Sequence, residues 1–373
     1  MTSADPGGRQ PLLGFHRRGL WLLPLLLVVL AGLTFVRLRD PSHTDIVELN
    51  GLAMGTTWFV KVVAPDAKPE QRDELRTAIQ RELDLVNRLM STWDPQSELS
   101  EFNRTQSTEV FPVSEPTLEV FELSLGASAQ TAGAFDVTVG PVVRAWGFGS
   151  GTNPAAHTPP DAPALARLRE RVGYRNLSVD RPAGTVRKKH RETEIDLSGV
   201  AKGYAVDRIA RALGKLGWHN VLVELGGELG ARGTHGHGDP WRVAVERPDT
   251  EGRSIFAIVE LRDAGMATSG DYRSFYVRDG VRLSHLIDPR TLRPIAHSVA
   301  SVSVIDPDTA RADALATGLG VLGLEDGLAL AEREQIAAYF IVREPGDALR
   351  GVASSRFKPF LAERQPTSEN ANR

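Results

Sequence analysis

The sequence predicts one mixed α+β domain preceded by a single N-terminal transmembrane helix. Three observations lead to this expectation: an uncharged apolar stretch near the N-terminus, strand-like runs that alternate with helical periodicity, and a body that no second linker divides. The chain has 373 residues, of which 41% are hydrophobic and 24% are charged. That composition and length are sufficient for a large folded domain.

The apolar stretch covers residues 19–36 and follows Arg17 and Arg18. At ~1.5 Å per residue it would span roughly 27 Å, close to the apolar thickness of a bilayer. No convincing cleavage site follows, so an uncleaved anchor is favoured over a signal peptide and over a buried core helix. The basic residues around the span favour a cytoplasmic N-terminus only slightly. We expect residues 1–18 to be cytoplasmic, 19–36 to be a signal anchor in the inner membrane and 37–45 to be a linker to an extracytoplasmic body.

Charge and cysteine content exclude several function classes. Lysine and arginine number 44 and aspartate and glutamate 47, which gives a formal charge of −3. With no long basic stripe, a nucleic-acid partner is not expected. The chain has no cysteine, which excludes disulfide scaffolds, thiolate metal sites, iron–sulfur clusters and cysteine nucleophiles.

The body is expected over residues 46–363, with a polar tail at 364–373. Residues 45–63 are typical of strands, and a helix from Pro69 to Met90 keeps one face apolar. Gly- and Pro-rich residues 149–163 predict a surface excursion. Further helices are expected over 116–132, from about 200, over 310–322 and over 327–333. Further strands are expected over 221–225, 241–246, 255–261, 298–305 and 337–342.

The segment from Glu194 to Asp207 combines the end of a strand, at Ile195, with the start of an amphipathic helix near Val200. Asp196 and Ser198 stand where side chains that cap a helix belong, and Lys202 follows in the first turn. Free backbone N–H groups at a helix start also attract anions, so the segment suits a phosphate. When the two residues are considered alone, helix capping is the simpler interpretation.

Asp313 and Thr317 are four residues apart in a stretch with helical periodicity. That spacing puts both side chains on one face, with β-carbons ~5–6 Å apart. A carboxylate, a hydroxyl and a nearby backbone carbonyl suit Mg²⁺, which takes few protein ligands together with water and phosphate oxygens. An N-terminal acid followed by an ordinary surface threonine explains the same isolated pattern.

Histidines and glycines elsewhere leave alternatives open. His285 precedes an Asp-Pro turn and suits either a general base or a structural role. His235 and His237 lie among glycines that favour a hairpin tip over a metal site. The GxGxxG pattern from Gly318 to Gly323 follows a helix instead of opening one after a strand, so it fails as a dinucleotide fingerprint.

The order of the motifs along the chain is more specific than any single one. In that order the motifs are Met54-Gly-Thr56, Met90-Ser-Thr-Trp-Asp94, Ser97-Glu-Leu-Ser-Glu-Phe-Asn103, Gly133-Ala-Phe-Asp-Val-Thr-Val-Gly-Pro141, Trp146-Gly-Phe-Gly149, Asp196-Leu-Ser-Gly-Val-Ala-Lys-Gly-Tyr-Ala-Val-Asp207, Gly226-Gly227, Ala267-Thr-Ser-Gly-Asp-Tyr272, Ser284-His-Leu-Ile-Asp-Pro289 and Ala312-Asp-Ala-Leu-Ala-Thr317. This succession, over about residues 46–360, closely resembles the ApbE family, the FAD:protein FMN transferases.

The resemblance implies a T-fold-like α+β domain with mixed sheets and flanking helices. It implies FAD as the flavin donor and Mg²⁺ as the required metal. It also implies that FMN is linked through a phosphoester to a threonine of a partner protein, with release of AMP. Expected acceptors are redox-complex subunits, as in Na⁺-pumping NADH:quinone oxidoreductase or Rnf-type complexes, and FMN-binding-domain proteins.

Site residues follow from matching each motif to the family. The positions that match FAD contacts are Met54, Trp93, Ala134, Phe135, Asp136, Asp196, Lys202 and His285. From the residues alone, Met54 and Trp93 suit either stacking on a flat ring or burial in a core. Asp313 and Thr317 match the magnesium side chains, and Gly199 matches a backbone carbonyl ligand. Asp313 and His285 are the expected catalytic residues, and His285 or a metal-bound carboxylate is expected to accept the threonine proton.

Three positions depart from the family pattern. Trp93 stands where a tyrosine is common, Glu224 replaces an asparagine ahead of the double glycine, and Leu292 takes the place of a glycine. Two other functions stay open: the same pocket hydrolysing FAD to FMN and AMP, and a membrane-tethered flavin carrier without catalysis.

Overall fold

The computed structural model describes residues 46–149, 158–236, 238–248, 254–272, 274–278, 281–346 and 348–362. The predicted cytoplasmic segment, signal anchor, linker and tail lie outside these residues, as does most of the predicted 149–163 excursion. The described α-helices are α1 (Pro69–Met90), α2 (Glu98–Arg104), α3 (Glu115–Gln130), α4 (Gly140–Ala145), α5 (Ala162–Arg169), α6 (Ala201–Lys215) and α7 (Thr309–Arg333). The described strands are β1 (Ile46–Ala53), β2 (Thr56–Val63), β3 (Val110–Pro112), β4 (Leu177–Asp180), β5 (Thr185–Lys188), β6 (Val221–Leu225), β7 (Glu228–Arg232), β8 (Trp241–Glu246), β9 (Ile255–Leu261), β10 (Ala264–Gly270), β11 (Phe275–Arg278), β12 (Val281–Ser284), β13 (Ile287–Asp288), β14 (Arg293–Pro294), β15 (Val299–Asp306), β16 (Ala337–Arg343) and β17 (Leu349–Ala353).

Eight strands form the main sheet, in the order β1-β2-β6-β7-β10-β15-β16-β17. Every strand pairing among the described residues is antiparallel. The expected α+β class is confirmed, but the expected mixed sheets are wrong for this part of the chain. A parallel pair needs a crossover that brings both strands back in one direction. Here even the connection through α7 returns β16 antiparallel to its neighbour β15.

The main sheet is covered on both faces around β15 and β16, which explains why these two strands are buried at almost every position. In β16, Ala338, Phe340 and Val342 pack with α7, whereas Tyr339 and Ile341 pack with the β8–β9 ribbon. Side chains of a strand alternate between faces, so continuous hydrophobicity indicates a strand buried on both sides. Helices α6 and α7 therefore lie on one face and the β8–β9 ribbon on the other.

Helix α7 is the helix that carries the predicted metal side chains. It is the one described helix long and apolar enough to span a membrane by length and composition, but 61% of its most apolar window is buried within the body. The predicted interruption between residues 322 and 327 corresponds to one kink at Gly323, where φ is 80°. Helix α7 packs against β10 and β15 and is therefore a core helix of the domain.

Two central strands, β7 and β10, were not expected from the sequence because they are rich in small residues. A Cβ at Gly230 would lie 2.6 Å from the Val206 side chain of α6, and one at Gly265 would lie 2.7 Å from the Cα of Thr309 in α7. The helices approach the sheet so closely there that larger side chains do not fit. Close helix packing, and not β propensity, selects these residues.

Candidate active site

The crossing of α6 over α7 fixes the position of Asp313. A Cβ at Gly203 would lie 2.5 Å from the Thr309 carbonyl oxygen, so only glycine allows the two helices to approach this closely. The Gly203 N–H donates to Asp313 Oδ2 at 3.1 Å. Asp207, one turn later on α6, accepts a hydrogen bond from the Ala310 N–H at 2.9 Å. These bonds tie the first turns of α7 to α6.

The three predicted metal positions meet at this crossing. Asp313 and Thr317 are one turn apart on α7, and a Cβ at Gly199 would lie 3.3 Å from Thr317 Oγ1. The turn before α6 thus contacts the face of α7 that carries both side chains. The described residues contain no cluster of three His, Cys, Asp or Glu side chains that would hold a metal. A carboxylate, a hydroxyl and a carbonyl are the hard donors that suit Mg²⁺, with positions left for water and phosphate.

Lys202 reaches the same place, where it pairs with a carboxylate that sequence reasoning missed. Its Nζ lies 2.5 Å from Oε1 of Glu228, the first residue of β7. Glu228 is 3% exposed, and its other oxygen, Oε2, has no hydrogen-bond partner among the described residues. Burial raises the pKa of Glu228 to about 8; the Lys202 ammonium opposes this rise and the Asp313 carboxylate adds to it. Burial likewise raises the pKa of Asp313, and Lys202 again opposes the rise. The Lys202 ammonium therefore favours the charged form of both buried carboxyl groups, although only Glu228 is hydrogen-bonded to it.

The Met54–Gly55 turn lies beside this pair. It joins β1 to β2 with Met54 at a φ of 50°, a strained left-handed conformation for a residue with a side chain. The Gly226 N–H donates to the Thr57 carbonyl at 3.1 Å, and a Cβ at Gly226 would lie 3.4 Å from Lys202 Cδ. Glu224, at one of the positions that depart from the family pattern, accepts from the Gly227 N–H at 2.7 Å. The double glycine thus brings the Met54 turn next to Lys202.

Asp196 lies on a turn that Asn103 holds in place. The Asn103 amide donates to the Ile195 carbonyl and accepts from the Ile195 N–H, both at 2.8 Å. Asp196 Oδ1 accepts from the N–H of Ser198 at 2.9 Å and from its hydroxyl at 2.5 Å. The capping interpretation is therefore wrong, because α6 has its N-cap at Val200 and no side chain caps it. The strand expected to end at Ile195 is also not formed. Asp196 instead shapes the turn that leads to Gly199.

A cavity of about 350 Å³ opens beside this turn. Asp196 lines it together with Trp93, Asn103, Arg144 and Glu194. Trp93 is 72% exposed, so its ring is not part of the core and is available for stacking. A larger cavity of about 600 Å³ lies along α5 and residues 189–192, and none of the predicted site residues lines it.

The Ala134-Phe135-Asp136 turn supports the site from inside. All three side chains are buried, and a Cβ at Gly199 would lie 3.2 Å from the Phe135 ring. Asp136 accepts from the Thr138 N–H and hydroxyl and from the Tyr174 N–H, all within 2.8 Å. Burial raises the pKa of Asp136, and these hydrogen bonds oppose the rise. Its carboxylate is thus occupied within the chain.

His285, directly after β12, has one side fixed by the backbone. Its Nδ1 lies 3.0 Å from the Ser274 carbonyl oxygen, which can only accept, so Nδ1 carries the proton. The neutral ring then has its lone pair on Nε2, as a general base requires. Burial lowers the pKa of His285, and the Lys202 charge lowers it further against the opposing effects of Ser274 and Asp271. Burial therefore favours the neutral, proton-accepting form of this imidazole.

The loop after His285 explains the Leu292 departure. Leu292 has a φ of 61°, the left-handed region where glycine is favoured, yet its side chain is buried. Its N–H donates to the Asp288 carbonyl at 2.7 Å, and its carbonyl accepts from Trp146 Nε1 at 2.8 Å. The loop keeps the turn that a glycine would make, and burial of the leucine side chain offsets the strain.

For His235 and His237, the sequence favoured a hairpin tip over a metal site. His235 lies in the connection between β7 and β8, where Gly236 pairs with Asp239, and its ring packs edge-to-face on Trp241 at 5.1 Å. His237 lies outside the described residues.

Known proteins are similar to this chain over most of its length. The model of the ApbE family matches residues 54–340. A Vibrio cholerae protein named FAD:protein FMN transferase is 43% identical over 344 residues, which cover 92% of this chain and 99% of the relative. A Klebsiella pneumoniae protein of the same name is 42% identical over 325 residues, which cover 86% of this chain and 91% of the relative.

Solved structures agree with the sequence comparisons. The flavin transferase ApbE from Vibrio cholerae superimposes with a TM-score of 0.76 at 44% identity, covering 85% of this chain and 99% of that one. The apo form of the Pseudomonas stutzeri flavinyl transferase ApbE gives a TM-score of 0.77 at 36% identity, covering 86% and 98%. Fold, motif order and overall coverage lead to one conclusion: this chain belongs to the ApbE family.

Proposed function

We propose that this protein transfers FMN from FAD to a threonine of a partner protein. The observation that carries the proposal is the meeting of Gly199, Lys202, Asp313 and Thr317 at one helix crossing, in a chain of the ApbE family. Oxygen donors for a divalent cation and an ammonium lie together there, as transfer from a diphosphate requires. Relatives of nearly the same length bear the name FAD:protein FMN transferase.

The reaction divides FAD at its diphosphate. The acceptor hydroxyl oxygen bonds to the phosphorus of the FMN half, the bond from that phosphorus to the bridging oxygen breaks, and AMP leaves with the bridging oxygen. His285 Nε2 takes the proton that the hydroxyl loses, because the Ser274 carbonyl keeps the proton of the ring on Nδ1. Lys202 places a positive charge beside the diphosphate, where negative charge increases as AMP departs.

Asp313, Thr317 and the Gly199 carbonyl would hold Mg²⁺. Bound there, the cation would neutralise diphosphate charge and polarise the phosphorus–oxygen bond. Trp93 stacks on the isoalloxazine ring in this proposal, and the Met54 turn borders the diphosphate beside Lys202. The Ala134-Phe135-Asp136 turn acts through the backbone that it supports, since its side chains are buried.

We place the domain on the extracytoplasmic side of the inner membrane, behind a single-pass anchor at residues 19–36. The uncharged length of that segment and the arginines before it support this placement. The acceptor is then a redox-complex subunit or an FMN-binding-domain protein exposed on the same side. A C-terminal alkaline phosphatase fusion should be active in cells, whereas a C-terminal fluorescent fusion that fluoresces only in the cytoplasm should stay dark.

Incubation of the full chain with FAD, Mg²⁺ and a flavin-acceptor domain tests the function. We expect covalent flavin fluorescence on the acceptor band in a denaturing gel, and a mass increase of one FMN on an acceptor threonine. Free FMN and AMP without a labelled acceptor would indicate hydrolysis instead. FAD that stays intact would indicate a carrier.

A further inference from the structure

Glu228 is a buried carboxylate that the proposed chemistry has not yet used. It directly follows Gly226-Gly227 and begins β7, and only 3% of its surface is exposed. One oxygen accepts from the Lys202 ammonium at 2.5 Å. The other, Oε2, is buried without a hydrogen-bond partner among the residues that the structure describes. Buried carboxylate oxygens are normally satisfied, so this one calls for an explanation.

The charges around Glu228 indicate what is missing. Asp313 is the second carboxylate that the Lys202 ammonium stabilises, and Asp313 already accepts from the Gly203 N–H. Two carboxylates beside one ammonium leave an excess negative charge in a buried place, which is costly unless a cation or a proton compensates for it. The excess lies close to Asp313, because Lys202 holds Glu228 and the next residue, Gly203, donates to Asp313.

We propose that Glu228 is an additional acidic residue of the divalent-cation site, with Oε1 holding Lys202 and Oε2 available to the cation or to a water bound to it. This inference rests on the proposed function, because it takes that site as the place of the cation. Glu228 then has two effects. It increases the negative charge that attracts the cation, and it keeps the Lys202 ammonium beside the cation, so that both positive charges reach the same diphosphate.

Cation binding in the absence of FAD tests the proposal without requiring catalysis. The full chain in detergent is titrated with Mn²⁺, and electron paramagnetic resonance measures the free ion. We expect Glu228→Gln to weaken the Mn²⁺ dissociation constant at least about 10-fold, as loss of a supporting group at a metal site typically does. The amide keeps the size of the side chain and an oxygen for Lys202, but it removes the charge.

Two further variants make the result specific. Glu228→Asp retains the charge with a shorter reach and should recover part of the lost affinity. Glu82→Gln changes the other described glutamate that is buried, on α1, and should bind Mn²⁺ as the wild type does. Near-UV circular dichroism verifies that each variant is folded; if Glu228→Gln does not fold, Glu228→Asp decides, with weakened binding in support and wild-type binding against.

Three outcomes would overturn the proposal: a wild type that retains no Mn²⁺, a Glu228→Gln variant with wild-type affinity, or equal losses in Glu228→Gln and Glu82→Gln. None of these depends on an acceptor or on turnover. Failure of the proposed function would instead appear as an unlabelled acceptor in the flavinylation assay.

Discussion

The two glutamates that are buried in the described part of the chain have opposite environments. Glu82 on α1 is 6% exposed, and each of its oxygens has a guanidinium partner: Arg208 at 2.8 Å and Arg81 at 3.1 Å. Glu228 on β7 is 3% exposed and pairs with the Lys202 ammonium through one oxygen, whereas its other oxygen has no hydrogen-bond partner among the described residues. One carboxylate is fully satisfied and the other is not.

We interpret the difference as that between a residue that stabilises the fold and one that serves the proposed cation site. A buried charge with all partners in place contributes to the folded state, and its loss leaves the partners unpaired. A buried charge without enough partners lowers stability until a ligand supplies the missing interaction. Variants of the two regions should therefore affect different measurements. The first four predictions run from the largest expected effect to the smallest, and a prediction on pH follows them.

Asp313→Asn should abolish flavin transfer while the fold persists. The amide oxygen still accepts from the Gly203 N–H, but the charge that attracts the cation is gone. We expect at least about 100-fold slower labelling of an acceptor domain. Thermal unfolding of the same sample is the control, and labelling at the wild-type rate would refute the cation site.

His285→Gln should slow transfer by about 10²–10⁴-fold, because the amide cannot accept the hydroxyl proton as the imidazole does. FAD affinity should change little, which fluorescence titration of the flavin measures. This variant separates proton transfer from binding within the site. An unchanged rate would exclude His285 as the base.

Glu82→Gln should lower the free energy of unfolding by about 1–3 kcal/mol, because Arg208 loses a buried ionic partner. The side chain of Arg208 is 25% exposed, so water compensates for part of the loss. Urea denaturation measures the change. Transfer rate and Mn²⁺ affinity should stay at wild-type values; a change in either would mean that α1 is coupled to the site.

Trp93→Ala should weaken FAD binding by about 1–2 kcal/mol, or about 5- to 30-fold in Kd, through loss of a stacking surface. The melting temperature should be unchanged because the ring is largely exposed. Trp93→Tyr restores a flat ring and should bind FAD nearly as well as the wild type. Equal binding by the alanine variant would place the flavin elsewhere.

The pH dependence of stability gives a separate test of Glu228 that needs neither metal nor turnover. Burial raises the pKa of Glu228 from 4.5 to about 8, so between these pH values the folded chain holds a proton that the unfolded chain releases. The free energy of unfolding therefore falls with rising pH across that window. Glu228→Gln removes this contribution, so its melting temperature should rise relative to the wild type from pH 5 to 8 without metal. If the melting temperatures of the variant and the wild type change with pH in the same way, the raised pKa of Glu228 is contradicted.

The sequence predicted the strands and helices whose pattern of apolar residues follows directly from which face is buried. Strands β6, β8 and β9 have the expected bounds, and α1 keeps its apolar face against the core. Two of the strands that were missed, β7 and β10, are selected by contact with α6 and α7, which no local periodicity records. Their glycines indicate helix proximity only once the helices are in place.

The candidate site was predictable to the extent that local spacing encodes it. The four-residue spacing of Asp313 and Thr317 placed both side chains on one turn of α7. Gly199 was predicted only because its own motif matches the family. Glu228 was missed because an acid after two glycines has no periodic signal; its meaning depends on Lys202, 26 residues earlier in the chain. The sequence also could not predict that the Asp136 carboxylate is buried and hydrogen-bonded within the chain. A motif match does not show which atoms already have hydrogen-bond partners.

The glycine at position 203 has one more consequence. Gly199 lies in the turn that leads into α6, whereas Asp313 and Thr317 lie on α7. In the proposed cation site, the spacing between the two helices would therefore set the distances among these oxygens. Mg²⁺ requires oxygens at about 2.0–2.1 Å, whereas Ca²⁺ takes them at about 2.3–2.6 Å. In the proposed site, the missing methyl group at Gly203 would therefore help to select between the two alkaline-earth ions, because it sets how closely α6 and α7 approach each other.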